Sequence, residues 1–281
     1  MVRVIATANQ KGGVGKTTTA VNLSAALAEQ GQNVCLVDLD PQAHATLHLG
    51  AAAADRPSIY DVMMGHAEVE HVVRPIRPRL TVVPSHIDLA AAEVELAGEV
   101  GREVILRDAL GRAEDQFDYL LIDCPPSLGV LTLNALAAVD EVFLPLQPHF
   151  LALHGLSKLL GTIDVVARRL NPKLQLTGVV FCMYESATRL AAEIKGDVDE
   201  FFQAERDPNS PWGRARSFET VIRRNIRLAE APSFGKSIFE YAPDCNGADD
   251  YRSLSDEVHN GFVTDEPSQP SATDQESSVG V

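Results

Sequence analysis

The sequence predicts an α/β fold: a single doubly wound, mostly parallel sheet flanked by helices. Three observations predict it. Short apolar, strand-like runs alternate with stretches of helical periodicity along most of the 281 residues. A glycine-rich turn, residues 9–18 (Asn-Gln-Lys-Gly-Gly-Val-Gly-Lys-Thr-Thr), joins the first such run to the first helical stretch. Two further apolar runs end in aspartate, at Asp38 and Asp123, where ligands collect in open α/β sheets.

The elements follow in order. Val2 to Ala6 is an apolar run that reads as a buried strand, and Ala20 to Ala28 has helical spacing. Val34-Cys35-Leu36-Val37 and Leu80-Thr81-Val82-Val83 are the next strands. Residues 88–113 read as helix with a break near Gly98. Tyr119-Leu120-Leu121-Ile122 is a strand closed by Asp123, residues 128–138 a helix, and Val142-Phe143-Leu144 a strand. An amphipathic helix over 151–170 stops at Asn171-Pro172. Leu176 to Phe181 is a strand, and 188–203 and 247–261 are helices. Residues 204–216 form a turn-rich loop that carries the single tryptophan, Trp212. Residues 263–281 are polar and acidic and are expected to be a disordered tail after a domain spanning 1–262.

Strand, glycine turn and helix start together make a phosphate cradle. Glycine lets the backbone wrap tightly and aim its N–H groups at phosphate oxygens, and the helix N-terminus adds partial positive charge. Gly12, Gly13, Val14, Gly15, Lys16, Thr17 and Thr18 are therefore the expected nucleotide-binding residues. Lys16 would reach the β- and γ-phosphates and Thr17 would hold Mg²⁺. The chain is thus read as a P-loop NTPase with a deviant Walker A sequence: Gln10 stands where the general pattern has glycine, and a second lysine, Lys11, opens the loop.

Beyond the second strand, Asp38-Leu39-Asp40-Pro41-Gln42 puts carboxylates opposite that loop. The same pattern also suits a strand-to-helix turn with an N-cap carboxylate. Asp123 fits the carboxylate that holds Mg²⁺ through water, and Pro125 and Pro126 stiffen the segment after it. Phosphoryl transfer to water is chiefly positioning and charge neutralisation, so these residue types at these strand ends point to nucleotide hydrolysis.

Composition narrows the classes. No apolar run approaches the roughly 18 residues of a membrane span, and the N-terminus enters a strand at once, with no expected signal peptide. Cys35, Cys124, Cys182 and Cys245 are scattered without metal spacing and read as reduced residues of a cytosolic protein. His44 and His48, four apart, lack companion ligands and are expected to be surface histidines. Net charge is −15, against a simple nucleic-acid coat. Yet Arg214 to Lys236 holds six basic residues against two acids. From charge alone this stretch reads as a solvated basic face.

The string Lys11-Gly12-Gly13-Val14-Gly15-Lys16-Thr17-Thr18 resembles the deviant P-loop of the ParA/MinD family. The likeness to ParA/Soj-type partition ATPases extends over residues 2 to about 262. It takes in Asp38 to Gln42, Leu120 to Gly129, Leu146-Gln147-Pro148, Met183-Tyr184 and Arg224 to Ser233. The resemblance implies a slow, partner-stimulated ATP hydrolase that uses ATP and Mg²⁺. It implies a homodimer when ATP is bound, in which Lys11 crosses to the partner's nucleotide and Gly12 lies at the interface. Lys11, Lys16 and Asp40 then carry catalysis, Asp40 on the water; Asp123 and Thr17 serve the metal, with Asp38 in support. The resemblance also places Asn225 against adenine and Arg227 in a patch for non-specific DNA, with Arg224, Arg189 and Lys236 as further candidates. It implies a ParB-like partner and a cytoplasmic, nucleoid-associated protein that positions chromosome, plasmid or other cargo. The alternatives are an ATP-switched regulator acting through protein partners and a MinD-like membrane regulator; the acidic tail lacks the basic amphipathic helix that the latter needs. The chain departs from the family at Arg223, usually proline, at Ala43-His44, usually Gly-Asn, and near His149 and His154, where acids are common. The 204–216 loop reads as an insertion, and the N-terminal DNA-reading domain of longer plasmid relatives is not seen.

Overall fold

The computed structural model describes residues 2–52, 57–111, 116–149 and 152–261, and the side chains of 152–155 are outside the description. The predicted tail, 263–281, lies outside the described residues.

The apolar runs become strands and the periodic stretches helices. In chain order they are β1 (Arg3–Thr7), α1 (Lys16–Glu29), β2 (Val34–Asp38), α2 (His44–His48), α3 (Ile59–Met63), α4 (Val69–Val72), β3 (Arg74–Arg77), β4 (Leu80–Val83), α5 (Leu89–Glu95) and α6 (Ile105–Leu110). There follow β5 (Tyr119–Asp123), α7 (Val130–Ala138), β6 (Glu141–Leu146), α8 (Ala152–Arg169), β7 (Gln175–Tyr184) and α9 (Arg189–Ala204). The last elements are β8 (Arg216–Ser217), β9 (Ile222–Arg223), α10 (Ile226–Glu230), α11 (Ile238–Tyr241) and α12 (Asn246–Asn260).

Among the described residues the sheet has nine strands in the order β3-β4-β2-β5-β1-β6-β7-β8, with β9 also on β7. All pairings are parallel except β3 with β4. A parallel sheet is covered on both faces, and two clusters fill them. One takes Val4, Ala6, Val37 and Ile122 with α5 to α9; the other takes Ile5, Leu36, Leu121 and Phe143 with α1 and α12. Alternate residues of one strand thus enter opposite layers.

The break expected near Gly98 is borne out: residues 88–113 hold two short helices, α5 and α6, with a 3₁₀ turn at Leu96–Gly98 between them, and two other local outcomes differ from the sequence reading. Gly101, at φ 76°, turns the chain where helical backbone cannot follow. The antiparallel edge strand β3 is new; its residues, Arg-Pro-Ile-Arg, carry no alternation strong enough to announce it. The 204–216 segment is less loose than a loop. Leu176 N–H donates to the Pro211 carbonyl at 2.7 Å, and Trp212 packs against the core. On β7, next to the edge strand β8, Gly178 is obligatory, because a Cβ there would lie 2.1 Å from the Phe218 ring, which meets Phe143 edge-on at 5.0 Å.

Candidate nucleotide site

The site lies where β1, β2 and β5 end together. Register sets Thr7 beside Asp123 and Asp123 beside Asp38. The backbone leaving β1 turns through Gly13 (φ 72°) and Gly15 (φ 97°), both left-handed, and enters α1 at Lys16. Gly15 also passes close to β7: a Cβ on it would sit 3.2 Å from both Cβ and Sγ of Cys182. Asn9 braces the turn. Its Oδ1 accepts from Lys11 N–H at 3.0 Å, and its Nδ2 donates to the Pro145 carbonyl on β6 at 2.8 Å.

The two lysines of the turn point to different surroundings. Lys16 is 6% exposed and its Nζ donates to the Lys11 carbonyl at 3.1 Å. Burial lowers its pKa, against the opposing pull of Asp123, Cys124 and Asp40. Lys11 is exposed, and its Nζ meets Nε2 of His149 beyond β6.

Three aspartates gather around this turn, each in a different state. Asp123 is fully buried; burial first, then the charge of Asp38, raises its pKa well above the usual carboxylate range, with a Thr17 side-chain hydrogen bond opposing. Its Oδ2 is buried without a hydrogen-bond partner. Asp38 is buried too, and burial lifts it to about 6. Its Oδ2 accepts from Thr46 N–H (2.8 Å) and Thr46 Oγ1 (2.7 Å), and its Oδ1 accepts from Asp40 N–H at 3.2 Å. Both oxygens are therefore engaged by the protein, which leaves Asp38 a supporting place. Asp40 is 6% exposed; its Oδ1 accepts from Gln42 N–H at 2.9 Å, and its carbonyl accepts from Ser85 Oγ at 2.7 Å.

The donor set fits a hard divalent cation. An orphaned buried carboxylate oxygen and a neighbouring threonine hydroxyl supply oxygen ligands, and Asp38 and Asp40 nearby add carboxylates to the site. Among the described residues no group of three or more His, Cys, Asp or Glu is placed to hold a metal alone. Phosphate oxygens and water would complete the shell, as is usual for Mg²⁺.

A cavity of about 740 Å³ opens over the turn. Gly12, Gly13, Gly15, Lys16, Thr17 and Thr18 line one end, with Asp40 and Pro126 beside them. Arg224, Asn225 and Ile226 close the other end, and Cys182, Ile222, Leu228 and Tyr251 give it an apolar wall. A polar cradle at one end and an apolar slot at the other suit a nucleoside triphosphate. Asn225 caps α10, its Oδ1 accepting from Arg227 N–H at 2.9 Å, which leaves both amide N–H groups to meet a base.

The structure brings together Lys16, Thr17, Asp40, Asp123 and Asn225. It treats the basic candidates differently. Arg224 lines the nucleotide cavity and pairs with Glu185 at 3.0 Å. Arg227 pairs with Glu230 at 2.8 Å, and Arg189 with Glu193 at 2.9 Å. Lys236 is exposed on the turn after the 3₁₀ segment Ala231–Phe234. Arg223, which departs from the family pattern, grips Asp250 through Nε and Nη2 at 2.9 and 2.6 Å, an 8%-exposed carboxylate on α12. His48 corrects the sequence reading: it is 1% exposed, not a surface residue, because α2 packs its last turn against the 231–237 segment, where Gly50 and Gly235 meet. His44, in contrast, is exposed and lines the cavity.

Sequence reasoning missed Asn9, Thr46, Cys182 and Tyr251. Thr19 Oγ1 links the last two, 3.2 Å from Tyr251 Oη and 3.5 Å from Cys182 Sγ. Asn9 opens the glycine-rich turn, but its bond to β6 is not visible in the motif; the other three carry no local motif, and their relevance comes from the strands and helices they meet. Met183 is the exception in kind: a non-glycine residue at φ 52° within β7, it sits where the register with β9 shifts between Cys182 and Tyr184.

Comparison with known proteins agrees with this geometry. A family model described as an AAA domain matches residues 2–176. The chain is 45% identical over 260 residues to the sporulation initiation inhibitor protein Soj of Bacillus subtilis, covering 92% of this chain and 98% of that one. It is 45% identical to the chromosome partitioning protein ParA of Caulobacter vibrioides, covering 92% and 94%. A solved structure named as cobyrinic acid a,c-diamide synthase of Mycobacterium smegmatis, with bound ATP analogue and magnesium, superposes with a TM-score of 0.78 at 37% identity, over 94% of this chain and 97% of that one.

Proposed function

The chain belongs to the Soj/ParA family of chromosome-partitioning ATPases, and on that premise we propose that ATP pairs two copies, that the pair binds DNA without reading sequence, and that a ParB-like partner on the cargo stimulates hydrolysis and release. The protein is an ATP hydrolase that uses ATP and Mg²⁺. The observation that carries the proposal is the divergence of the two ammonium groups on one turn. Lys16 is buried over its own cradle, whereas Lys11 is exposed and turned away to His149. A second lysine held outside its own site is suited to a triphosphate on another subunit.

In this reading, backbone N–H groups of Gly13 to Lys16 bind the phosphates, and Lys16 trades the Lys11 carbonyl for phosphate oxygens. Thr17 and Asp123 would hold Mg²⁺, directly and through water; bound there, the ion neutralises charge on the β- and γ-phosphates. Asp40 orients the water that attacks the γ-phosphorus as the bond to the ADP oxygen breaks. Asn225 offers its amide N–H to the base, and Gly12 leaves room for the partner's backbone. DNA retention falls to Arg227, with Arg189, Arg224 and Lys236 contributing. The ion pairs of the three arginines are solvent-exposed and therefore weak, so a phosphate backbone competes with them easily. No helix among the described residues is long and apolar enough to cross a membrane, and the proposed place of action is the nucleoid surface.

Sedimentation with duplex DNA tests the proposal. The wild-type protein should pellet with DNA only when ATP and Mg²⁺ are present, and Lys16→Ala should bind neither ATP nor DNA. ATP hydrolysis at full rate by a strict monomer with Lys11 replaced would overturn it.

A further inference from the structure

Lys11 does not end in solvent: its Nζ lies against Nε2 of His149, on the segment that follows β6. An ammonium group only donates hydrogen bonds. The contact therefore exists only while Nε2 is unprotonated, that is, while the imidazole is neutral. The ring also bonds to the backbone of its own residue, which fixes its orientation. The charged group acting on the ring is Lys11, from the turn before α1. The next ammonium on that turn, Lys16, ends on the Lys11 carbonyl. On the ring's own segment the preceding residues, Gln147 and Pro148, do not titrate.

We propose that His149 is a positioning residue for Lys11: its neutral imidazole holds the front ammonium turned away from its own cradle, and its protonation disables ATP-driven pairing of subunits. This rests on the reading that Lys11 serves the nucleotide of a second copy. One of the three N–H donors of Lys11 goes to His149, and two remain for the other copy's phosphate oxygens. The ring need not let go for the crossing to occur. It removes in advance much of the rotamer freedom that a free lysine surrenders on binding. A protonated ring has no lone pair at Nε2 and adds a like charge beside the ammonium, so it displaces Lys11 from its approach. Burial and the Lys11 charge lower the pKa of His149, which keeps the ring neutral at neutral pH. The contact is thus present above that pKa and lost as pH falls through it.

The test measures the protein concentration for half-dimerisation, by light scattering, with Mg²⁺ and a non-hydrolysable ATP analogue. Wild type should pair more weakly once pH falls below the pKa of His149 than near pH 8, by up to about tenfold, the size expected for loss of one charge-assisted hydrogen bond. His149→Ala should be about tenfold weaker at both pH values. His149→Gln, an acceptor that does not titrate, should stay within about twofold of the wild-type value near pH 8 and lose the acid limb. Loading of a fluorescent ATP analogue by the single subunit serves as the folding control. Wild-type pairing by His149→Ala, or an acid limb that persists in His149→Gln, overturns the inference. Lys11→Ala separates it from the parent reading. Normal pairing by Lys11→Ala overturns both, whereas failed pairing there with normal His149 variants overturns this inference alone.

Discussion

Acid should destabilise this protein through one buried imidazole. His48 is 1% exposed between α2 and the 231–237 segment. Burial, with a smaller contribution from the Arg77 guanidinium, lowers its pKa from 6.5 to about 4, against a hydrogen bond with the Lys236 backbone. Its Nε2 is buried without a partner, so a proton placed there would find no acceptor. The unfolded chain takes up a proton near 6.5 that the folded chain refuses until about 4. Stability is therefore complete above the unfolded value and is lost as pH falls toward the folded one. At 1.36 kcal/mol per unit, the gap of about 2.5 units amounts to about 3 kcal/mol at and below pH 4. That is a large fraction of a typical 5–15 kcal/mol total.

The assay is urea unfolding of wild type and His48→Leu across roughly pH 7.5 to 4.5. At neutral pH the leucine variant should be less stable by about 1 kcal/mol, having lost the Lys236 hydrogen bond. Near pH 4.5 it should be the more stable of the two, the difference having moved by roughly 2.5 kcal/mol in its favour. Asp38 and Asp123, whose raised pKa values act in the opposite sense, are present in both proteins and cancel in the difference. Parallel curves for the two proteins would refute the assignment of His48 as a buried neutral ring.

Other expected outcomes bear on the nucleotide site. Gly15→Ala forces a left-handed φ of 97° on alanine and sets its Cβ 3.2 Å from Cys182; a cost of about 1–3 kcal/mol should fall on the loop, so calorimetry should show lost ATP affinity with circular dichroism unchanged. Asp40→Ala should still bind ATP and accumulate as the ATP-bound dimer, with turnover down by about a hundredfold or more, the scale of losing one well-placed catalytic group; a monomeric ATP complex in light scattering would count against the water-orienting role. Arg227→Glu puts a carboxylate beside Glu230 in place of an ion pair. DNA retention should weaken, and the slope of its salt dependence should shrink by about one; unchanged retention removes Arg227 from the DNA surface.

The amino-acid order by itself determined the architecture and the phosphate end of the site. Those features are local: a strand is announced by four or five apolar residues, and a phosphate cradle by glycines and a lysine consecutive along the chain, as at Gly12 to Thr18. Asp38 and Asp123 were legible for the same reason, each closing a visible strand, and Asp40 lies two residues past the first of them. Tertiary structure alone decided what those groups touch. Strand register brought Asp38 and Asp123 side by side, and burial first, with a neighbouring carboxylate second, pushed their pKa values up. Helix packing buried His48 and left His44, four residues earlier, at the cavity. The run of arginines looked like a solvated positive stretch, yet folding supplied Glu185 for Arg224 and Asp250 for Arg223 as partners. Charge state and exposure depend on neighbours that lie tens or hundreds of residues away, and no window of sequence contains those neighbours.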